Sequence, residues 1–146
     1  MALIEWSAER FSVHIAQFDD DHRQLIHLIN DLHSAMKAGQ ARDILHTLLE
    51  KLGEYAQLHM RDEEVAMERH RYPALASHRA EHMEFADHVS ELRRTLRVGD
   101  IAGTIDLLDF LRAWLFNHML GTDRLYVPFL VSMRVPKPSS VSPPPA

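Results

Sequence analysis

Residues 75–96 read LASHRAEHMEFADHVSELRRTL. Leu75, Phe85, Val89, Leu92 and Leu96 follow the alternating three-and-four spacing with which a bundle helix faces its partners. The same rhythm also falls on positions 78 and 82, where it meets His78 and His82 instead of apolar side chains. The stretch therefore reads as a helix with two imidazoles set into its apolar seam. The segments on either side carry the same signature. Leu45, Leu48, Leu52, Tyr55 and Ala66 define a seam whose gaps are filled by His59 and, one turn on, Glu63. Leu25 or Ile26, Ile29, Leu32 and Met36 define another, which one heptad back from Ile29 reaches His22. Ile101, Ile105 or Leu108, Leu111 and Leu115 define a fourth, which continues to His118.

The punctuation agrees with four helices. An irregular arm covers residues 1–18, and the acidic run Asp19-Asp20-Asp21 suits the positive end of a first helix that reaches Lys37 and closes at Gly39. A second covers about 41–69 and stops at Arg71-Tyr72-Pro73. A third starts near Pro73 and reaches Val98, with Gly99 beyond it. A fourth runs from Asp100 or Ile101 to about Leu120, where Gly121 can end it. No sustained period-two alternation suggests a strand. Short connections between helices predict an all-α, antiparallel up-down-up-down four-helix bundle with an irregular N-terminal arm. The expected domain is residues 1–133. Residues 134–146 hold prolines and serines with little apolar bulk and read as a flexible tail.

A chain of 146 residues is long enough for one domain with a sizeable core. It has no cysteine, which excludes disulfides, thiolate metal sites and cysteine nucleophiles. Its 16 basic and 21 acidic side chains, net −5, argue against a nucleic-acid partner. No apolar stretch approaches the length of a membrane span, and the N-terminus does not read as a signal peptide, so a cytoplasmic location is expected.

Eleven histidines are too many for this composition to leave unexplained. Five of them, His22, His59, His78, His82 and His118, take positions that should be apolar, at least one from every helix. His14, His27, His33, His46, His70 and His88 do not, although His33 and His88 flank the seam and are candidate donors behind it. A buried imidazole without partners costs on the order of 1–3 kcal/mol, and a buried lone carboxylate costs more. A bound metal satisfies all of them together. Residues four apart differ by only about 40° around a helix, so His59 and Glu63, and His78 and His82, each aim at one point. Asp123 lies five residues past His118 and can join it only if the helix stops or bulges between them, a break that Gly121 could supply. The seven groups are too many for one ion. Imidazole mixed with carboxylate suits iron, with manganese second. Five imidazoles, two bridging carboxylates and one oxo or hydroxo bridge fill all but one position of two octahedral ions. The Glu-x-x-His of the carboxylate-rich di-iron bundles is absent.

The order His22, His59-x-x-x-Glu63, His78-x-x-x-His82, His118-x-x-x-x-Asp123 resembles the hemerythrin family, and within it the single-domain bacterial members, over residues 1 to about 131. Trp6, Asp21-His22, Asn30, Glu63-Glu64, Met67, Tyr72-Pro73 and Trp114-Leu115 add to the resemblance. It implies two iron ions bridged by an oxo or hydroxo group, Glu63 and Asp123, with one ion held by His78, His82 and His118 and the other, with an open position, by His22 and His59. It implies reversible dioxygen binding for transport, storage or supply, with no net chemistry and no catalytic residue. Leu25, Ile29, Met67, Trp114, Leu115 and Met119 would surround the gas. Asp21, Met60 and Met119 depart from the residues commonest in that family at their positions. The alternatives are a di-iron enzyme turning over peroxide, nitrite or nitric oxide, and an oxygen or redox sensor. No polar acid–base group beyond the ligands lies on the seams, which weighs against the enzyme. A monomer is expected, with the recipient of the dioxygen unspecified.

Overall fold

Residues 4–131 are described in the computed structural model, and they are all-helical. In chain order they form α1 (Ala8–Phe11), α2 (Ala16–Lys37), α3 (Arg42–Arg69), α4 (Leu75–Arg97), α5 (Ile101–Asn117), a π-helical turn (His118–Thr122), a 3-10 turn (Asp123–Tyr126) and α6 (Val127–Val131). The four long helices pack α2 on α3, α3 on α4, α4 on α5 and α5 back on α2. With short connections this is the four-helix bundle expected from the seams. The tail expected at 134–146 lies outside the described residues.

The helix ends show how the chain reverses. Gly39 and Gly99 adopt φ of +69° and +80°, and the N–H groups of Gln40 and Asp100 reach back to the carbonyls of Ala35 and Thr95. These are left-handed C-terminal caps for which glycine carries no Cβ penalty. α3 ends the same way without glycine: Arg71 takes φ +56°, and the Tyr72 N–H closes on the Met67 carbonyl.

Several boundaries differ from the sequence expectation. α2 begins at Ala16, ahead of the acidic run, and α1 breaks the supposedly irregular arm. The reason is Asp19. Its carboxylate does not cap its own helix but accepts the Ser12 hydroxyl at 2.6 Å and the Val13 N–H at 2.9 Å, tying the arm to α2. α4 begins at Leu75, with Tyr72 and Pro73 spent in the turn. The buried line of α3 is Leu45, Leu49, Leu52, Ala56, His59, Met60, Glu63 and Met67; Leu48, Tyr55 and Ala66 are partly buried beside it.

Two apolar clusters bracket the polar residues. The main core contains Leu25, Ile29, Leu52, Phe85, Leu108 and Leu115. A smaller one, with Val13, Phe18, Met67, Tyr72, Tyr126 and Leu130, closes the bundle end. Along each long helix the seam histidines fall between the two. Truncating a fully buried leucine such as Leu52 to alanine costs ~2–5 kcal/mol. That packing holds the four backbones rigid around the polar layer.

Candidate metal centre

His22 comes from α2, His59 and Glu63 from α3, His78 and His82 from α4, and His118 and Asp123 from the end of α5. All seven are buried. Their ligand atoms fall into two overlapping groups, each with its atoms within 4.8 Å of one another: Glu63, His78, His82, His118 and Asp123, and His22, His59, Glu63 and Asp123.

The two carboxylates divide their oxygens between the groups. Glu63 Oε2 lies 3.4 Å from His22 Nε2 and 3.2 Å from His59 Nε2, whereas Oε1 lies 3.7 Å from His78 Nε2 and 3.2 Å from His82 Nε2. Asp123 Oδ2 is 3.1 Å from His22 Nε2, and Oδ1 is 2.9 Å from the Nε2 atoms of both His78 and His118.

Asp123 joins His118 through the π-helical turn. The Asp123 N–H donates to the His118 carbonyl, a five-residue closure that brings position 123 over position 118. Gly121 is not the break. The helix does not end there, its φ is not positive, and a Cβ added to it would meet nothing within 4 Å. The expected fourth helix to Leu120 is thus corrected to an α-helix ending at Asn117, a bulge, and a continued helical run to Val131.

The donor set fits a metal. Nε2 of all five histidines, Glu63 Oε1 and Asp123 Oδ1 are buried without a hydrogen-bond partner, although they converge to within contact distance. Such a concentration of orphaned donors is expensive unless a cation satisfies it. Without a cation, protons take its place. Burial works against charge on these imidazoles, but the Asp123 and Glu63 carboxylates outweigh it for His22, held at about 9 against an ordinary 6.5. His78 is held at about 9 in the same way. His59 stands at about 10, burial again being outweighed, here by Glu63 and Asp21. His118 is raised too, against its burial, by Asp123, Glu63 and Glu81. Burial alone would raise the carboxyls of Glu63 and Asp123, yet the imidazoles around them hold both well below the ordinary carboxylate range.

Behind the candidate ligands stands a set of groups that the sequence reading missed. His59 Nδ1 bonds Asp21 at 2.8 Å, His82 Nδ1 bonds Glu64 at 2.7 Å, and His118 Nδ1 bonds Glu81 at 2.8 Å. These contacts place the Nδ1 proton and turn Nε2 inward. Each carboxylate adjoins a candidate ligand in sequence but serves one on the next helix: Asp21 reaches from α2 to α3, Glu64 from α3 to α4, and Glu81 from α4 to α5. Their adjacency to His22, Glu63 and His82 was the available signal. Trp114 stacks on His118, with ring centroids 4.7 Å apart and planes 10° apart. His33 and His88, read as candidate donors behind the site, do not serve it. His33 is buried against Asp109 at 3.0 Å, and His88 Nδ1 donates to the Glu84 carbonyl in its own helix.

An interior cleft beside His22 and His59 is walled by Leu25, Met60, Leu115 and Met119 and is too tight for a water-sized sphere. Ile29, Met67 and Trp114 stand elsewhere: Ile29 in the main core, Met67 in the end cluster, and Trp114 against His118. None of the described helices is long and apolar enough to cross a membrane.

A family model described as the hemerythrin HHE cation binding domain matches residues 13–130. A bacteriohemerythrin of Methylococcus capsulatus is 32% identical over 130 residues, covering 89% of this chain and 98% of that protein. A myohemerythrin of Theromyzon tessulatum is 28% identical over 122 residues, covering 84% and 89%. The crystal structure of a wild-type hemerythrin superposes with a TM-score of 0.78 at 31% identity, over 88% of this chain and 98% of that one.

Proposed function

Because this chain belongs to the hemerythrin family, we propose that it binds dioxygen reversibly at a pair of iron ions, as a carrier, store or local supply. One observation carries the reading. Glu63 and Asp123 each turn one oxygen toward His78, His82 or His118 and the other toward His22 or His59. Three imidazoles would then hold one ion and two the other, with Glu63 and Asp123 shared between them. The ion with fewer protein ligands is the one beside the apolar cleft. Nitrogen-rich coordination favours iron over the all-oxygen preferences of magnesium or calcium. Iron held by these residues would supply the reversible electron transfer that dioxygen binding needs.

The chain's own residues support binding without turnover. Leu25, Met60, Leu115 and Met119 exclude water from the cleft, and every ionisable side chain lining it belongs to the proposed ligand set. None is left over to act as a general acid or base. Tyr126, behind Glu63, is held protonated, since burial and the Glu63 and Asp123 carboxylates push its phenol well above the ordinary value. We assign the protein to the cytoplasm, where a reducing environment suits ferrous ions.

The test is spectroscopic. The iron-loaded protein is reduced anaerobically, exposed to dioxygen and then degassed. A visible charge-transfer band that rises with the gas and fades on its removal is expected. Irreversible bleaching with peroxide release, steady consumption of nitrite or nitric oxide, or a single zinc per chain in metal analysis would overturn the reading.

A further inference from the structure

Small side chains open a groove of about 430 Å³ on the outer surface between α3 and α4. Gly53, Ala56 and Ala86 line it, and its apolar lining includes Phe85, Val89 and Met60. The gap depends on what is missing: a Cβ at Gly53 would lie 2.8 Å from the Arg93 guanidinium. Met60 also lines the interior cleft beside His22 and His59. It is therefore the partition between a solvent-facing groove and a cleft closed to a water-sized sphere. A second surface pocket, containing Trp114 and Thr122, meets the cleft at His118. That wall is fixed: the His118 ring is bonded by Glu81 at 2.8 Å and stacked on Trp114. The Met60 wall is different in kind. A methionine side chain is unbranched, has three rotatable bonds and holds no directional bond in place, and side-chain rotamer changes are fast compared with local unfolding.

We propose that the α3–α4 groove is the entrance for the small neutral gas and that Met60 is the side chain that admits it. The proposal rests on the dioxygen reading given above and adds the route. A passage of this kind sets the rate at which a small molecule reaches the cleft, because the swinging side chain must move before anything can pass.

The test uses the full-length chain loaded with zinc, so that no iron consumes the probe. The probe is hydrogen peroxide, a molecule close to dioxygen in size. Conversion of the buried Met119 to its sulfoxide is followed by peptide mass spectrometry, with the exposed Met83 as internal reference and the buried Met67, in the other apolar cluster, as a control. Met60→Ala is expected to speed Met119 oxidation on the order of fivefold relative to Met83 while Met67 stays slow, and Met60→Phe to slow it. In the iron-loaded protein, Met60→Ala should raise the association rate of dioxygen, and Met60→Phe should lower it. Unchanged Met119 oxidation in both variants, faster oxidation only in Trp114→Ala, or an equal rise at Met67 would each overturn the route. If the iron protein fails to bind dioxygen reversibly while Met119 responds to Met60, the route stands and the function assigned to the site falls.

Discussion

The Tyr126 hydroxyl donates to Glu63 Oε2 at 2.6 Å, with both groups fully buried. A residue eight positions beyond His118 thus orients the carboxylate on α3 that faces both histidine groups. Tyr126→Phe removes the donor and keeps the ring. It should destabilise the metal-free protein by about 1–3 kcal/mol, because a buried carboxylate oxygen loses its partner. Thermal unfolding and a chelator competition on the same samples check this. Unchanged stability together with unchanged metal affinity would show the contact to be incidental.

Gly121 invites the opposite expectation. Its backbone lies outside the left-handed region and a Cβ there meets nothing within 4 Å. Gly121→Ala should keep full metal content and raise stability by about 0.4–1 kcal/mol, through the loss of freedom in the unfolded chain. Loss of metal in this variant would restore glycine as the element that lets Asp123 turn inward.

Glu81 and Asp109 offer a matched comparison. Each holds a buried histidine, His118 and His33 respectively, but only His118 faces the carboxylates. Glu81→Gln should weaken metal binding by about 10–100-fold. Asp109→Asn should leave it unchanged while lowering stability slightly. Equal effects on affinity would mean that the partners behind the ligands do not tune them. Likewise His118→Ala should halve or abolish iron content, and His46→Ala should not.

The metal-free protein should have a narrow pH optimum. The imidazoles of His22, His59 and His78 are held at about 9 to 10, above their ordinary 6.5, so their contribution is complete below 6.5 and is lost as pH rises through that range. Glu63 and Asp123 are held below their ordinary 4.5 and 3.8, so their contribution is complete above those values and fails in stronger acid. Melting temperatures of the metal-free chain should peak between the two limits and fall towards pH 10. Metal loading should release protons and flatten the alkaline side. A melting temperature that is constant or rising from pH 7 to 10 without metal would contradict the electrostatics.

Interruptions in apolar periodicity were enough to find the bundle and six of the inward polar groups, the five histidines and Glu63; Asp123 followed only on the condition of a break or bulge after His118. Burial repeats with the helical period, so His78 and His82 announce themselves as misfits among Phe85, Val89 and Leu92 without any knowledge of their neighbours. The glycines with positive φ at 39 and 99 were likewise legible, because their reason is local.

What lies across a gap between helices was not. The pairings of Asp21 with His59, Glu64 with His82 and Glu81 with His118 depend on the rotation and height at which separate helices meet, and periodicity along one helix carries neither quantity. His33 shows the same limit: read as flanking its seam, it is buried and pairs with Asp109 of α5. The bulge that brings Asp123 over His118 was a condition the sequence could state but not meet, since an ended helix and a bulged one share the same local residues, and only the folded chain shows the π-helical turn, with Tyr126 and Leu130 packed into the end cluster beyond it. Which side chains could come together was written along the chain. Which atoms they offer one another was settled by the packing of four helices around a shared interior.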